Sequence, residues 1–248
     1  MFRITIILCV LTALGLNAGQ AAIMTIPADA KDASPVLDVV GAPVEVDGGD
    51  DVVKATKGST RVGASSGSAN SGVYPFQLPA LPAGEFVSTA NFVVEFITAD
   101  SNSVSDFDLY GLPYRAAPDV LPGDLYSGDD DPTDATKLQD KFAVDPDDEA
   151  TFVETDATGD AGLAAYIQAQ YDAGAEAGDY LFLRISADTQ QATEAGTEGR
   201  SLAFFESVER HTTSDPTLTF ETEVIPEPAT MALLAAGGVL LGRRRRRG

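Results

Sequence analysis

Short stretches in which apolar and polar residues alternate occupy much of the chain and predict β-strands. The clearest one runs from Glu85 to Thr98, and the residues on one of its faces are Ala90, Phe92, Val94 and Phe96. Similar patterns predict short strands at 36–40, 44–46, 52–53, 60–62, 73–78, 105–110, 151–153, 179–185, 201–207 and 217–223. Turns rich in Gly and Pro separate them, which favours a mainly β fold, an antiparallel and jelly-roll-like β-sandwich.

One helix is expected in a connection between these strands. Asp160 is its predicted N-cap, and Gly174 is expected to end it. The apolar residues that recur at helical spacing between them are Leu163, Tyr166, Ile167 and Tyr171. This stripe indicates packing against a core rather than a ligand site.

Residues 111–149 interrupt the strand pattern. Five prolines divide this stretch, and its acidic residues are clustered, so we expect an acidic insert that crosses the surface of the sandwich. Within it, Thr136–Phe142 is predicted to form one or two helical turns.

Two groups of acidic residues in this insert are candidate Ca²⁺ ligands. Carboxylate oxygens are the hard ligands that Ca²⁺ prefers. The first group is Asp129, Asp130, Asp131 and Asp134, joined by Asp140, and the second is Asp145, Asp147, Asp148 and Glu149. Neither group has the spacing of an EF-hand, so a solvated acidic loop is the alternative reading.

The first residues are typical of a secretory signal peptide. A basic start, Met1–Arg3, precedes the apolar stretch Ile4–Leu16, and small residues follow up to Ala22. Cleavage is expected after Ala21 or Ala22, and the secretion translocon is then an expected partner. A buried core helix is the alternative.

The last residues have three parts: a Pro-Glu-Pro sequence, an apolar run and a block of arginines. The run from Ala229 to Leu241 holds thirteen residues without a charge. As a helix it would span roughly 20 Å, which is shorter than the ~30 Å hydrocarbon core of a bilayer. Such a hydrophobic helix can enter a membrane but holds there poorly, with its basic end on the cytoplasmic side. An ordinary single-pass anchor is the alternative.

This order of parts resembles the PEP-CTERM sorting signal of exported Gram-negative proteins. The motif residues are Pro226, Glu227 and Pro228, and the basic end is Arg243, Arg244, Arg245, Arg246 and Arg247. The resemblance implies recognition by an exosortase-type membrane protease, processing at the motif, and delivery to the cell surface or extracellular matrix. It also implies that the membrane is engaged only transiently.

A second resemblance lies in the predicted sandwich. Residues 76–84 and 87–94, with 204–209 and 215–220 near its end, resemble DNRLRE-type jelly-roll domains. That family is similar to carbohydrate-binding modules, and some of its members bind acidic polysaccharide. No binding residue of that family can be matched here, and the insert at 111–149 departs from its pattern.

Composition excludes several classes of function. The only cysteine is Cys9, so the predicted mature chain has neither a disulfide nor a cysteine metal site. Residues 22–225 carry 10 basic and 37 acidic side chains, a net charge of about −27. Such a charge repels polyanions, which argues against nucleic-acid binding and against anionic membranes as partners.

Catalytic motifs are few. Gly63-Ala64-Ser65-Ser66-Gly67 matches the G-x-S-x-G pattern, and His211, the only histidine, lies downstream. A nucleophile elbow needs a strand, a tight turn and then a helix, whereas a strand is predicted to follow here. A glycosidase would need two placed carboxylates, and the sequence singles out no pair.

The sequence therefore predicts an exported, non-enzymatic β-sandwich with a structural or adhesive role, and exopolysaccharide is its candidate ligand. A secreted hydrolase acting on polysaccharide or ester substrates is the alternative. The predicted division is a signal peptide at 1–22, an extended arm or first strands at 23–58, the sandwich at 59–224, and the sorting signal at 225–248. Sugar stacking would require an exposed groove shared by Tyr74, Tyr110, Tyr114 and Tyr126.

Overall fold

The computed structural model describes residues 22–27, 34–39, 52–53, 59–65, 68–99, 106–121, 124, 135–143, 151–187, 201–206 and 216–225. Twelve strands and one helix lie within these residues. The strands are β1 (Ala22–Pro27), β2 (Ser34–Val39), β3 (Val52–Val53), β4 (Ser59–Ser65), β5 (Ser68–Gln77), β6 (Glu85–Ala99), β7 (Phe107–Arg115), β8 (Thr136–Ala143), β9 (Thr151–Glu154), β10 (Tyr180–Ala187), β11 (Ser201–Glu206) and β12 (Thr217–Val224). The helix, α1, spans Ala157–Asp172.

The prediction of a mainly β, antiparallel sandwich is confirmed. Strands follow one another in the order β1-β12-β6-β11-β4-β5-β10-β7-β8, and the pairings between them are antiparallel. The two longest strands, β5 and β6, each pair with several neighbouring strands. Strand β6 pairs with β12 over Glu85–Val93 and with β11 over Phe96–Ala99, while β5 pairs with β4 near its start and with β10 over the rest.

The main core lies between the inward faces of these strands and helix α1. Phe92 lies at its centre, with its ring centroid 5.9 Å from those of Tyr74 and Phe76 and 5.6 Å from that of Phe142. Helix α1 packs against β6, β7 and β8 and contributes Leu163. The alternating pattern predicted for β6 is confirmed, because its even-numbered residues from Ala90 to Phe96 are buried.

Helix α1 begins four residues earlier than a cap at Asp160 would allow. Asp156 is the N-cap, and its side chain accepts hydrogen bonds from the backbone N–H groups of Thr158 and Gly159 at 2.8 Å. The assignment of this role to Asp160 was wrong. Asp160 lies in the first helical turn, where its carboxylate accepts hydrogen bonds from Thr155 Oγ1 at 2.5 Å and Asn91 Nδ2 at 3.2 Å.

The helical turns predicted at Thr136–Phe142 are also wrong, because these residues form strand β8. The pairing of β8 with β7 shifts register twice, and Lys141 has a positive φ of 55°. These irregularities bury Leu138 and Gln139 and then Phe142 and Ala143, so the buried pairs recur at the four-residue spacing of a helix. The insert is therefore not only a surface excursion, since β7 extends to Arg115 and β8 follows.

Several predictions fall outside the described residues. These are the signal helix, the C-terminal hydrophobic helix and the strand at 44–46. The predicted domain bounds stay predictions as well. Strand β1 begins at Ala22, the last residue of the predicted signal peptide.

Candidate functional site

The end of β12 is held by β6 and by the turn that precedes β6. Val224 lies opposite Glu85, and the N–H of Ile225 donates a hydrogen bond of 2.7 Å to the carbonyl of Gly84. Gly84 has a φ of +81°, a conformation that residues with a side chain rarely adopt. The Thr222 hydroxyl donates to the Glu85 carboxylate. We call Gly84, Glu85, Thr222, Val224 and Ile225 the β12 corner.

The start of β1 lies beside the β12 corner. Strand β1 pairs with β12 in antiparallel register, with Ala22 opposite Thr222. Three of the exposed large apolar side chains in the described residues belong to the start of β1 and the end of β12: Ile23, Val224 and Ile225. The predicted signal cleavage site and the predicted sorting motif therefore adjoin the same end of two neighbouring strands.

Ser65 does not lie on a nucleophile elbow. It is the last residue of β4 and pairs with Ser68 at the start of β5. A strand, not a helix, follows the G-x-S-x-G sequence, so the strand–turn–helix geometry of a hydrolase nucleophile is absent from this position. His211 lies outside the described residues.

The tyrosines proposed as a sugar-stacking groove do not share one. Tyr74 is buried in the main core against Phe92, and Tyr110 is buried beneath the guanidinium of Arg184, whose Cζ lies 4.8 Å from the ring centroid. Tyr114 is half-buried, and its hydroxyl donates to the carbonyl of Ala173 at 3.4 Å. Tyr126 lies outside the described residues. Stacking of a sugar on Tyr74 or Tyr110 is excluded by their burial.

A buried polar cluster lies on the outward face of β7 and β10, which the sequence analysis missed. Asp108 is 2% exposed and accepts hydrogen bonds from Lys137 Nζ at 2.8 Å, the N–H of Lys141 at 2.9 Å and the Tyr110 hydroxyl at 3.3 Å. Burial lowers the pKa of Lys137, but its hydrogen bonds to Asp108 and Asp140 outweigh that effect and raise the pKa above its ordinary value. Lys137 is therefore a charged partner of Asp108.

Two arginines extend this cluster and bind Asp124, in the first part of the insert, to the sheet. Arg115 donates two hydrogen bonds to the Asp124 carboxylate, at 2.9 and 2.8 Å, and its guanidinium lies 3.7 Å from the ring centroid of Phe182. Arg184, which is 1% exposed, donates from Nη1 to the backbone carbonyl of Asp124 at 3.0 Å. The sequence feature that could have revealed this contact is the single arginine, Arg184, within the apolar run of β10.

The candidate Ca²⁺ ligands Asp129, Asp130, Asp131, Asp134, Asp145, Asp147, Asp148 and Glu149 lie outside the described residues. Strand β8 lies between the two groups along the chain. Among the described residues, acids, histidines and cysteines form no group of three that could hold a metal ion.

Comparison with known families confirms the sorting signal. The family model of the PEP-CTERM protein-sorting motif matches residues 224–247, which include Pro226, Glu227 and Pro228. Such a motif marks an exported protein that exosortase processes and that resides at the cell surface or outside the cell. No curated protein matches this chain.

No helix in the described part of the chain combines the length and the apolar character needed to cross a bilayer. The predicted hydrophobic helix at 229–241 lies outside that part, as do the arginines at 243–247.

Proposed function

We propose that this protein is a non-catalytic structural component of the cell surface or extracellular matrix, and that its sandwich binds polysaccharide without cleaving it. The observation that carries this proposal is the sorting motif at residues 224–247, which follows a mainly β domain without a spacer. The motif supplies the destination, and the sandwich is the part that remains there after processing.

The use of the polar side chains supports a non-catalytic role. Asp108 and Asp124 are engaged by Lys137 and Arg115, so these buried acids stabilise the fold. Ser65 ends a strand that pairs with the next strand along the chain. The described residues thus give a secreted hydrolase no specific support.

Charge defines which polysaccharide is expected. With about 27 more acids than bases in residues 22–225, the sandwich repels an anionic polymer. A neutral glycan, or an acidic one bridged by Ca²⁺, is the expected ligand. The platform for it is not Tyr74 or Tyr110. Phe152, which is 61% exposed on β9, offers a ring that is open to a sugar.

The first test is an intact-mass measurement on protein recovered from the cell surface. We expect a chain that begins near Ala22 and lacks Arg243–Arg247, because both terminal signals are removed. The control is the variant in which Pro226 and Pro228 are changed to Ala, which we expect to retain the arginines. Surface material that keeps Arg243–Arg247 in the unaltered protein would contradict the processing step.

The second test separates binding from cleavage. The mature protein is incubated with native exopolysaccharide, with and without millimolar Ca²⁺, and retention and the release of reducing ends are both measured. We expect retention without hydrolysis, and weaker retention for Phe152→Ala than for the matched surface variant Leu121→Ala. Turnover that Ser65→Ala abolishes would establish the hydrolase instead. If the protein is not retained in either condition, polysaccharide binding is excluded.

A further inference from the structure

Two residues belong both to the sorting motif and to the folded sandwich. The motif match begins at Val224, which is also the last residue of β12. Ile225 follows it, and its N–H is bonded to the carbonyl of Gly84. Pro226 comes next, so the chain has no spacer between the sheet and Pro-Glu-Pro. The matched motif therefore begins at residues that the sandwich already holds.

We propose that Val224 and Ile225 must detach from β6 before the chain is cut at the sorting motif, so that the folded sandwich slows its own processing. The inference rests on the proposed function in one respect, the use of the motif as a processing site. It adds a conformational step that the motif alone does not imply.

The backbone of the β12 corner is the first reason. Peptides are commonly recognised as extended chains whose N–H and C=O groups pair with the partner. The N–H of Ile225 is already paired with Gly84, and Val224 already lies opposite Glu85. An enzyme that grips the chain upstream of Pro226 would have to replace these contacts with its own.

The length of the tether is the second reason. From Ile225 to Ala229, where the predicted hydrophobic helix begins, four residues extend over at most about 14 Å. A domain of roughly 200 residues has a radius of gyration of about 17 Å, which exceeds this reach. Releasing two further residues from β12 lengthens the reach by about 7 Å.

The burial along β12 shows where such an opening would stop. Val224 and Ile225 are 49% and 51% exposed, so their release uncovers little apolar surface. Thr222 is buried and bonded to Glu85, and the core residues Phe220 and Leu218 precede it. Strand ends open locally at low free energy, whereas core segments open only with the whole domain. The step is therefore confined to the residues after Thr222.

A reversible lock tests the proposal. Because Ile225 and Gly84 are hydrogen-bonded partners, their neighbours Val224 and Glu85 form the closer, non-hydrogen-bonded type of pair, which suits a disulfide. The double variant Glu85→Cys/Val224→Cys has no competing thiol in the predicted mature chain. The full chain is expressed in a host that has an exosortase, and the loss of Arg243–Arg247 is followed by intact mass. We expect processing at least ten-fold slower in the oxidised double variant than in the reduced one, and a reductant should restore the rate of the Glu85→Cys single variant.

The single variants Glu85→Cys and Val224→Cys are the controls, because they carry the same side chains but cannot form the bond within one chain. We expect their rates to be unaffected by reductant. Equal rates for the oxidised and reduced double variant would overturn the proposal, because cutting would then take place before the corner folds. Retention of Arg243–Arg247 by the unaltered chain is a separate result, which would overturn the processing site itself.

A second variant loosens the β12 corner without touching the motif. Glu85→Ala removes the acceptor of the Thr222 hydroxyl, so we expect processing to be two- to five-fold faster. Glu221, a half-buried residue of β12, provides the matched control. Glu221→Ala makes the same charge change and should leave the rate of processing unchanged. An unchanged or slower rate for Glu85→Ala would overturn the proposal even if the double cysteine variant failed to fold.

Discussion

The two faces of β10 are buried to the same degree but are stabilised in different ways. Leu181, Leu183 and Ile185 point into the main core, whereas Phe182, Arg184 and Ser186 point outward. The inward face contacts other apolar side chains. On the outward face, Arg184 donates to Asp124, and Ser186 lies within 3.1 Å of the Ser71 hydroxyl. The inward face depends on volume and shape alone, whereas the outward face combines a smaller apolar cluster around Phe182 with matched hydrogen bonds.

This difference predicts two kinds of failure. A truncated apolar side chain leaves a cavity, whose energetic cost depends on how far the neighbours can relax. A truncated polar side chain leaves its partners buried without a hydrogen bond, and the cost depends on whether they can reach water. The three predictions that follow compare these costs.

The largest effect is expected on the inward side, at Phe92. Its ring contacts Tyr74, Phe76 and Phe142, so Phe92→Ala should lower the free energy of unfolding by about 3–5 kcal/mol. Chemical denaturation measures this change. Phe152→Ala is the control, because that ring is largely exposed and its loss should cost less than about 1 kcal/mol. Equal losses for the two variants would contradict the placement of the core.

A smaller effect is expected on the outward side, at Asp108. Asp108→Ala removes an acceptor from Lys137, Lys141 and Tyr110, and we expect a loss of about 2–3 kcal/mol. Asp140, which also binds Lys137 but is exposed, provides the matched control. Its replacement by Ala should cost less than about 0.5 kcal/mol. A loss for Asp140→Ala as large as that for Asp108→Ala would show that surface charge, not the buried cluster, matters.

The smallest effect is expected at Tyr166, whose ring lies in the main core. Its hydroxyl donates to the carbonyls of Leu112 and Phe182, so Tyr166→Phe should cost about 1 kcal/mol near neutral pH. Burial raises the pKa of Tyr166 above its usual range, and burial also raises the pKa of Tyr171 to about 12.

A raised pKa in the folded state fixes the sign of the pH dependence. The stabilisation by the neutral phenol is fully present below about pH 10, the value for an unfolded tyrosine, and is lost as the pH rises towards the folded pKa values. Melting temperatures measured across this range should fall less steeply for Tyr166→Phe than for the unaltered protein. Parallel curves would show that Tyr166 does not titrate with unfolding.

The parts of the molecule that the sequence predicts are those fixed by local pattern. The alternation in β6 identifies Phe92 as a core residue without knowledge of its neighbours. The sorting motif is likewise a linear signal, so Pro226–Pro228 could be found from residue order alone.

Long-range contacts could not be predicted in this way. Arg184 and Asp124 are 60 residues apart, and only the pairing of β7 with β10 brings them together. The sequence pattern does not show that Asp156 rather than Asp160 accepts the backbone N–H groups of Thr158 and Gly159. In β8, bulges give the buried residues a helical spacing, so the sequence pattern there does not distinguish a strand from helical turns.

The pairing of Ala22 with Thr222 has a consequence for how the mature protein faces its surroundings. The two ends of the described fold, Ala22 and Ile225, lie at the same end of the sheet. A molecule attached through its C-terminus is therefore held at that end only. The chain leaves β6, β8 and β10 at Ala99, Ala143 and Ala187, which lie at the other end of the strands. Ala99, Ala143 and Ala187 therefore lie, within the described residues, at the end of the sheet away from the sorting motif.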